Sequence, residues 1–454
     1  MHIDKSRPIL IVDDCAVMSN ALRGMLQKMG FRADQIDLAD SAKIALTLCA
    51  AKNYQLLLLD FNLASHGMNG YQLLTTLREE QSLAADCVTA VVTADASLEV
   101  VRSFMELEPD GYLVKPISYQ VVSQRLQELL QLKQRLCPLL LQRREQNLPT
   151  LLSRGGQLAR GQGVTSLKAR LLMAEACIEA ADYDRARELL SGLKSTSLRN
   201  RARLLLARAE LLQEHLQSVF TLVRPLQDDP LLCSEALTLK AEACVQLQQL
   251  DLALDSIRQA IALCPRGTKR YWLQAFIEMA GFDLVSAQET VQRGLRYARH
   301  MQQDEIPLQQ LLAALQLDVA EFATPEARQE HLTRYRSLSK GWQGQRLLPM
   351  AQSIDALLQA RADILCGTKP SVDDLIELHR QQSGATQEYQ MGLVEEMEWN
   401  KLIALPEQPE RLPEYYAAIK SSLPRNRRQT FQTTMSVYME KWRSSVASDR
   451  AYAL

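Results

Sequence analysis

With 454 residues the chain exceeds what one ordinary core fills, so two or three structural units are expected. A hydrophobic share of 47% with 23% charged residues fits a globular protein and excludes a disordered or fibrous one. The 52 basic and 53 acidic residues leave no global field to hold a polyanion, so nucleic acid is disfavoured as a partner. Nine cysteines occur with no CxxC spacing, several inside apolar runs, and are expected to be reduced, buried thiols. The N-terminus runs straight into a strand without a signal-peptide apolar region, and no apolar run approaches the ~20 residues of a membrane helix. A cytoplasmic protein without membrane insertion is expected.

The first 125 residues alternate short apolar runs with helical patterns. Pro8 to Val12 reads as a buried strand ending in Asp13-Asp14. Gln55 to Leu59 ends in Asp60, Cys87 to Val92 in Thr93, and Gly111 to Val114 in Lys115. A fifth strand near 36–39 has the weakest pattern. Helical stretches fall at roughly 17–29, 41–51, 70–80, 97–107 and 118–135. Continuous apolar strands alternating with helices predict an α/β doubly wound, five-stranded parallel sheet of the flavodoxin-like kind.

Each of those polar residues sits at the carboxyl end of its strand, where the ligand crevice of an open α/β sheet lies. Three carboxylates at one edge repel unless a cation joins them. A hard octahedral ion held by a few carboxylates, a backbone carbonyl and waters describes Mg²⁺, which neutralises charge on a transferring phosphoryl group. Thr93 offers a hydroxyl and Lys115 a fixed cation to the remaining phosphoryl oxygens, leaving Asp60 as nucleophile. Singly, each aspartate reads equally well as a helix N-cap. Five such residues in strand order require more than capping.

The segments IVDD (11–14), LLLLD (56–60), VVTA (91–94) and GYLVKP (111–116) resemble the receiver domain of two-component response regulators, of the chemotaxis type, over about residues 7–130. The resemblance implies that Asp60 accepts phosphate from a histidine kinase or phosphotransfer protein. It implies Mg²⁺ held by Asp14 directly, Asp13 mostly through water, Asp60, and the backbone carbonyl of Asn62. It also implies a cis Lys115-Pro116 peptide, with a switch in which Thr93 moves toward the phosphoryl group and Tyr112 turns inward. One departure stands out: the loop FNLASHGMN after Asp60 is about two residues longer than is common and lacks its usual proline. His66 in that loop reads as solvated rather than as a ligand.

Beyond residue 125 the strand signal ends and small residues recur. Ala174, Ala207, Ala241 and Ala275 are spaced by 33, 34 and 34 residues. Ala186, Val219, Ala253 and Ala287 follow twelve residues later, and Leu193, Leu226, Ala260 and Gly294 seven after those. Small residues at a ~34-residue period let paired helices approach closely. The pattern resembles the tetratricopeptide repeat, with the family's large aromatic positions mostly replaced by Leu, Cys and Met. The expected organisation is a receiver at 1–130, a helical and Gly-rich linker at 131–166 broken near Pro138, repeats at 167–300, and a further helical region at 301–454.

No catalytic constellation is read beyond the receiver, so no enzyme activity is expected apart from self-catalysed phosphorylation of Asp60 and its hydrolysis. A helical solenoid offers a concave face for a partner protein. The expected function is a response regulator whose phosphorylation switches protein–protein interactions of the repeats, with a phosphorylation-dependent homodimer as one form. A phosphate sink competing for a shared kinase is the first rival. The second is nucleic-acid binding through Arg425, Arg427, Arg428 and Lys441 with Tyr438 and Trp442 interleaved.

Overall fold

The computed structural model describes residues 6–63, 67–95, 97–161, 163–192, 196–342, 349–368, 373–377, 380, 392–404 and 429–451. The chain divides into two compact units, Met1–Ala236 and Leu237–Leu454.

The first unit opens with a five-stranded parallel sheet in the order β2-β1-β3-β4-β5. Its strands are β1 (Ile9–Val12), β2 (Ile36–Ala39), β3 (Leu56–Asp60), β4 (Val88–Thr93) and β5 (Gly111–Val114). The helices between and after them are α1 (Ala16–Lys28), α2 (Ala42–Ala51), α3 (Gly70–Glu79), α4 (Leu98–Glu106) and α5 (Tyr119–Arg144). Alternate residues of the central strands face opposite ways, as a pleat requires. Leu10, Val12, Leu57, Leu59 and Val91 join one core, whereas Ile9, Ile11, Leu58, Ala90 and Val92 join the other with Leu22, Val122 and Leu126 of α1 and α5. Both faces are covered, which is why these strands read as unbroken apolar runs. The weakly patterned β2 lies at the sheet edge, where Asp37 is tolerated because Lys52 Nζ (2.8 Å) and Tyr54 Oη (2.7 Å) donate to it.

The expected break near Pro138 is absent: α5 runs unbroken through that residue to Arg144. A helix-interior proline costs ~3 kcal/mol. Leu136 and Leu139, flanking it, bury against Ala169 with Leu132, Leu158 and Leu172 around them. Two buried leucines contribute roughly 1.5–3 kcal/mol each, enough to offset the proline. Two glycines of the expected linker, Gly155 and Gly156, are helical too, in α6 (Leu148–Ala159), whereas Gly161 and Gly163 lie between α6 and the next helix. A Cβ on Gly155 would come within 2.3 Å of Met173 Sδ, so this glycine is the point where α6 packs on α7 (Val164–Glu179). The described residues of 131–166 are therefore mostly packed helix, with left-handed turns at Gln146 (φ +53°) and Gly163 (φ +90°).

Helices then come in pairs. They are α7 with α8 (Tyr183–Leu190), α9 (Thr196–Leu212) with α10 (Leu216–Val223), α11 (Cys233–Gln246) with α12 (Leu250–Leu263), and α13 (Thr268–Ala280) with α14 (Leu284–Ala298). The alanines and valine of the first two small-residue series are fully buried. Leu226 and Ala260 of the third series are buried too, and Leu193 lies outside the described residues. A Cβ on Gly294 would meet Tyr271 Cβ at 2.9 Å, so the series marks helix crossings. The turn inside each pair repeats as well. Ala181, Glu214, Gln248 and Phe282 adopt φ of +59° to +65°. The residue after each, from Asp182 to Asp283, donates its N–H to a carbonyl five residues back. This is the Schellman arrangement, which satisfies the orphan carbonyls of a helix end.

The second unit continues through α15 (Gln302–Phe322), α16 (Pro325–Ser339) and α17 (Pro349–Leu365). It closes with helices Leu393–Ala404 and Gln429–Ala451. The last of these returns to α13, where Phe431 meets Phe276 edge-on at 5.5 Å. Described residues of these later helices thus share one core with α13 and α14. Among the described residues, no helix is long and apolar enough to cross a membrane.

Candidate functional site

The carboxyl edge of the sheet gathers the polar strand ends. Asp13 directly follows β1, and its backbone is fixed by Asp13 N–H donating to the Ala39 carbonyl (3.1 Å). Its side chain is buried, Oδ1 accepting from Cys15 N–H (2.9 Å) and Oδ2 from Lys115 Nζ (2.9 Å). Asp60 ends β3 and is also buried; its Oδ2 accepts from Lys115 Nζ at 3.1 Å. Asp14 is exposed at the rim. One carboxylate oxygen from each of Asp13, Asp14 and Asp60 lies within 4.8 Å of the others.

Three carboxylates against one ammonium leave the cluster with excess negative charge. Burial raises the proton affinity of Asp60, Lys115 opposes this, Asp13 adds to it, and the net pKa lies above the ordinary value. Burial would lower the Lys115 pKa, but the hydrogen bonds to Asp13 and Asp60 outweigh it and hold the ammonium charged. Asp60 Oδ1 is buried without a hydrogen-bond partner. A buried carboxylate oxygen lacking a donor, beside two more carboxylates, suits a small hard dication.

Thr93, at the end of β4, is fully buried and accepts at Oγ from Asp95 N–H (3.0 Å). It stands one residue past Val92, the register partner of Asp60. Tyr112 of β5 donates its hydroxyl to the Asp95 carbonyl (3.0 Å). Lys115 N–H donates to the Thr93 carbonyl (2.7 Å), and the Lys115-Pro116 peptide is cis. The structure thus joins Asp13, Asp60 and Lys115 by direct contact, sets Asp14 beside them, and joins Thr93 to Tyr112 through Asp95. Asn62 is exposed two residues beyond Asp60. His66 lies outside the described residues.

Two participants carried no clear sequence signal. Asp95 reads as an ordinary turn residue, yet its N–H donates to Thr93, its carbonyl accepts from Tyr112, and its Oδ1 accepts Ser97 N–H (2.8 Å) just before α4. Gly70 reads as a loop end, yet a Cβ there would lie 2.1 Å from the Asp60 carbonyl oxygen. Only glycine lets α3 begin against the end of β3, where Gly70 N–H donates to the Phe61 carbonyl (3.0 Å).

Elsewhere, Tyr438 and Trp442 are fully buried, so the aromatics of the C-terminal basic segment are core residues rather than a stacking surface. Arg425, Arg427 and Arg428 lie outside the described residues. Burial pushes the Cys87 thiol up to about 12 and those of Cys49 and Cys177 to about 11, as inert interior thiols require.

A family model described as the response regulator receiver domain matches residues 9–127. The chemotaxis protein CheY of Pseudomonas aeruginosa is 29% identical over 123 residues, which is 27% of this chain and 95% of that protein. The chemotaxis protein CheY-3 of Vibrio cholerae is 27% identical over 129 residues, 28% of this chain and 95% of its own. Among solved structures, a CheY-like response regulator receiver domain protein from Methanospirillum hungatei is 24% identical with a TM-score of 0.26. That likeness covers 28% of this chain and 96% of the other.

Proposed function

With residues 9–127 a receiver domain of the CheY-like kind, we propose that the protein is a response regulator phosphorylated on Asp60, with a helical region that carries its output through protein–protein contacts. The observation that carries the reading is the pairing of Lys115 with Asp13 and Asp60 beside the unpartnered Asp60 Oδ1. Asp13, Asp14, Asp60 and the Asn62 carbonyl would hold Mg²⁺. When bound, the ion supplies positive charge to the oxygens of the transferring phosphoryl group.

The chain's own residues then have distinct tasks. An Asp60 carboxylate oxygen attacks phosphorus, the bond from phosphorus to the donor's imidazole nitrogen breaks, and its electron pair stays on that nitrogen. Lys115, already charged between the two aspartates, transfers its hydrogen bond from Asp60 Oδ2 to a phosphoryl oxygen. Thr93 turns its hydroxyl to another. That movement disturbs Asp95, on which Tyr112 depends, and so carries the charge event into the β4–α4 turn. Pro116 fixes the backbone beyond Lys115. A histidine kinase or phosphotransfer protein is the donor, and the switched face governs binding of a protein partner or a second copy.

Incubation with phosphoramidate and Mg²⁺ tests the first step by intact mass. The wild-type chain should gain one phosphoryl group, and chelation or Asp60→Asn should abolish the gain. Phosphorylation that survives Asp60→Asn would overturn the assignment.

A further inference from the structure

Helix α4 is gripped from two sides. Its inner side carries Phe104, fully buried, which meets Phe61 edge-on at 5.6 Å and Tyr112 at 6.4 Å. Phe61 directly follows Asp60, and Tyr112 hangs on Asp95. The N-terminal end of α4 continues from that same turn, with Ser97 capping through Val100 N–H. The inner side therefore senses both the acceptor strand and the Thr93–Asp95 turn.

Its other side faces the helical region of the same unit. Arg102 Nε donates to the Pro230 carbonyl at 2.6 Å. Ser234 Oγ donates to Glu106 Oε1 at 3.1 Å. Just past the helix, Glu108 pairs with Arg201, which also holds Glu235 at 3.1 Å. The receiving surface is itself braced. Asp229 accepts the N–H groups of Leu231 and Leu232 through Oδ1, and accepts Asn200 Nδ2 through Oδ2 at 2.7 Å. Short α4 thus has rigid partners on both sides.

We propose that the Arg102–Pro230, Glu106–Ser234 and Glu108–Arg201 contacts form an internal latch that holds α4 in the unphosphorylated arrangement, so that the helical region suppresses charging of its own receiver. The inference rests on Asp60 being the phosphoryl acceptor. In the latched state Thr93 and Tyr112 are both engaged with Asp95. Any move of Thr93 toward a phosphoryl group drags Asp95 and, through its hydrogen bond, Ser97 at the start of α4, and α4 resists because its outer side is tied. Coupling between two sites is reciprocal: whatever the phosphoryl group does to the latch, the latch does to phosphoryl affinity. A partner that displaces the Pro230–Glu235 segment would therefore prime Asp60 for phosphorylation.

The test uses full-length protein, Mg²⁺ and beryllofluoride, with affinity read by calorimetry. Arg102→Ala removes the latch from the receiver side and Ser234→Ala from the repeat side, neither touching the acidic cluster. Each should bind beryllofluoride about fivefold tighter than wild type, the lower end of usual coupling between sites. The double variant should exceed either single one. Unchanged or weaker affinity in both single variants, with wild type still binding, would overturn the latch alone. Absence of binding in wild type and variants alike would instead sink the Asp60 reading, and the latch with it. Should one variant fail to fold, the other decides, since the two changes lie on opposite sides of the contact.

Discussion

Burial raises the proton affinity of Asp60, and Asp13 adds repulsion that Lys115 only partly cancels. Because the folded-state pKa lies above that of an unfolded aspartate, near 3.9, the unfolded chain loses its proton first as pH rises. Stability therefore falls through the window between the two values and stays reduced at neutral pH. Asp60→Asn removes that cost while keeping an oxygen for Lys115. The variant should protect receiver-core amides, such as those of Leu57 to Leu59, from exchange better than wild type at pH 7 without Mg²⁺. The difference should close toward pH 4, and Mg²⁺ should narrow it by stabilising the wild type. At this scale the acidic residues and Lys115 were legible because charged side chains directly after apolar strands are conspicuous. Gly70 and Asp95 were not, since their importance lies in a 2.1 Å approach and a backbone carbonyl, neither written in residue type.

Elements were legible where one period dominated. The small-residue series marks the helix crossings of the repeats, but the turns between paired helices use left-handed Ala181, Glu214, Gln248 and Phe282 rather than glycine. A non-glycine residue costs roughly 1–2 kcal/mol there, whereas glycine gives back roughly 0.5–1 kcal/mol through its freer unfolded chain. Gln248 is exposed, so Gln248→Gly should stabilise the second unit by about 0.5–1 kcal/mol. Urea denaturation followed by tryptophan fluorescence checks this, because Trp272, Trp342, Trp399 and Trp442 all belong to that unit. In α5 the sequence reading favoured a break, since Pro138 is a local signal while the leucine contacts that override it come from α6 and α7.

On the scale of the whole molecule, residues 301–454 resisted phasing because their core is partly charged. Asp318, Arg361, Glu398 and Lys401 are at most 2% exposed. Lys401 Nζ reaches Asp318 (2.7 Å) and Glu398 (2.9 Å), Arg361 reaches both carboxylates, and Tyr438 donates to Asp318 (2.6 Å). Helix Leu393–Ala404 also buries Glu395 and Glu396, so its inner positions look like an outer face in sequence. Burial pushes the Asp318 carboxyl up, but Lys401 and Arg361 prevail and hold it below the usual carboxylate range. Lys401→Met should therefore cost roughly 3–5 kcal/mol, by leaving buried carboxylates uncompensated, read again by urea denaturation.

The unbroken α5 has a consequence for how such proteins recombine. The receiver match stops at residue 127, yet the helix runs seventeen residues further, about 25 Å, before its end at Arg144. A gene fusion or domain exchange cut at the homology boundary would saw through a shared beam and strand Leu136 and Leu139 without their partners. A segment that keeps these leucines covered has to carry α6 and α7 along with the receiver, because Leu158, Ala169 and Leu172 supply the other side of that contact.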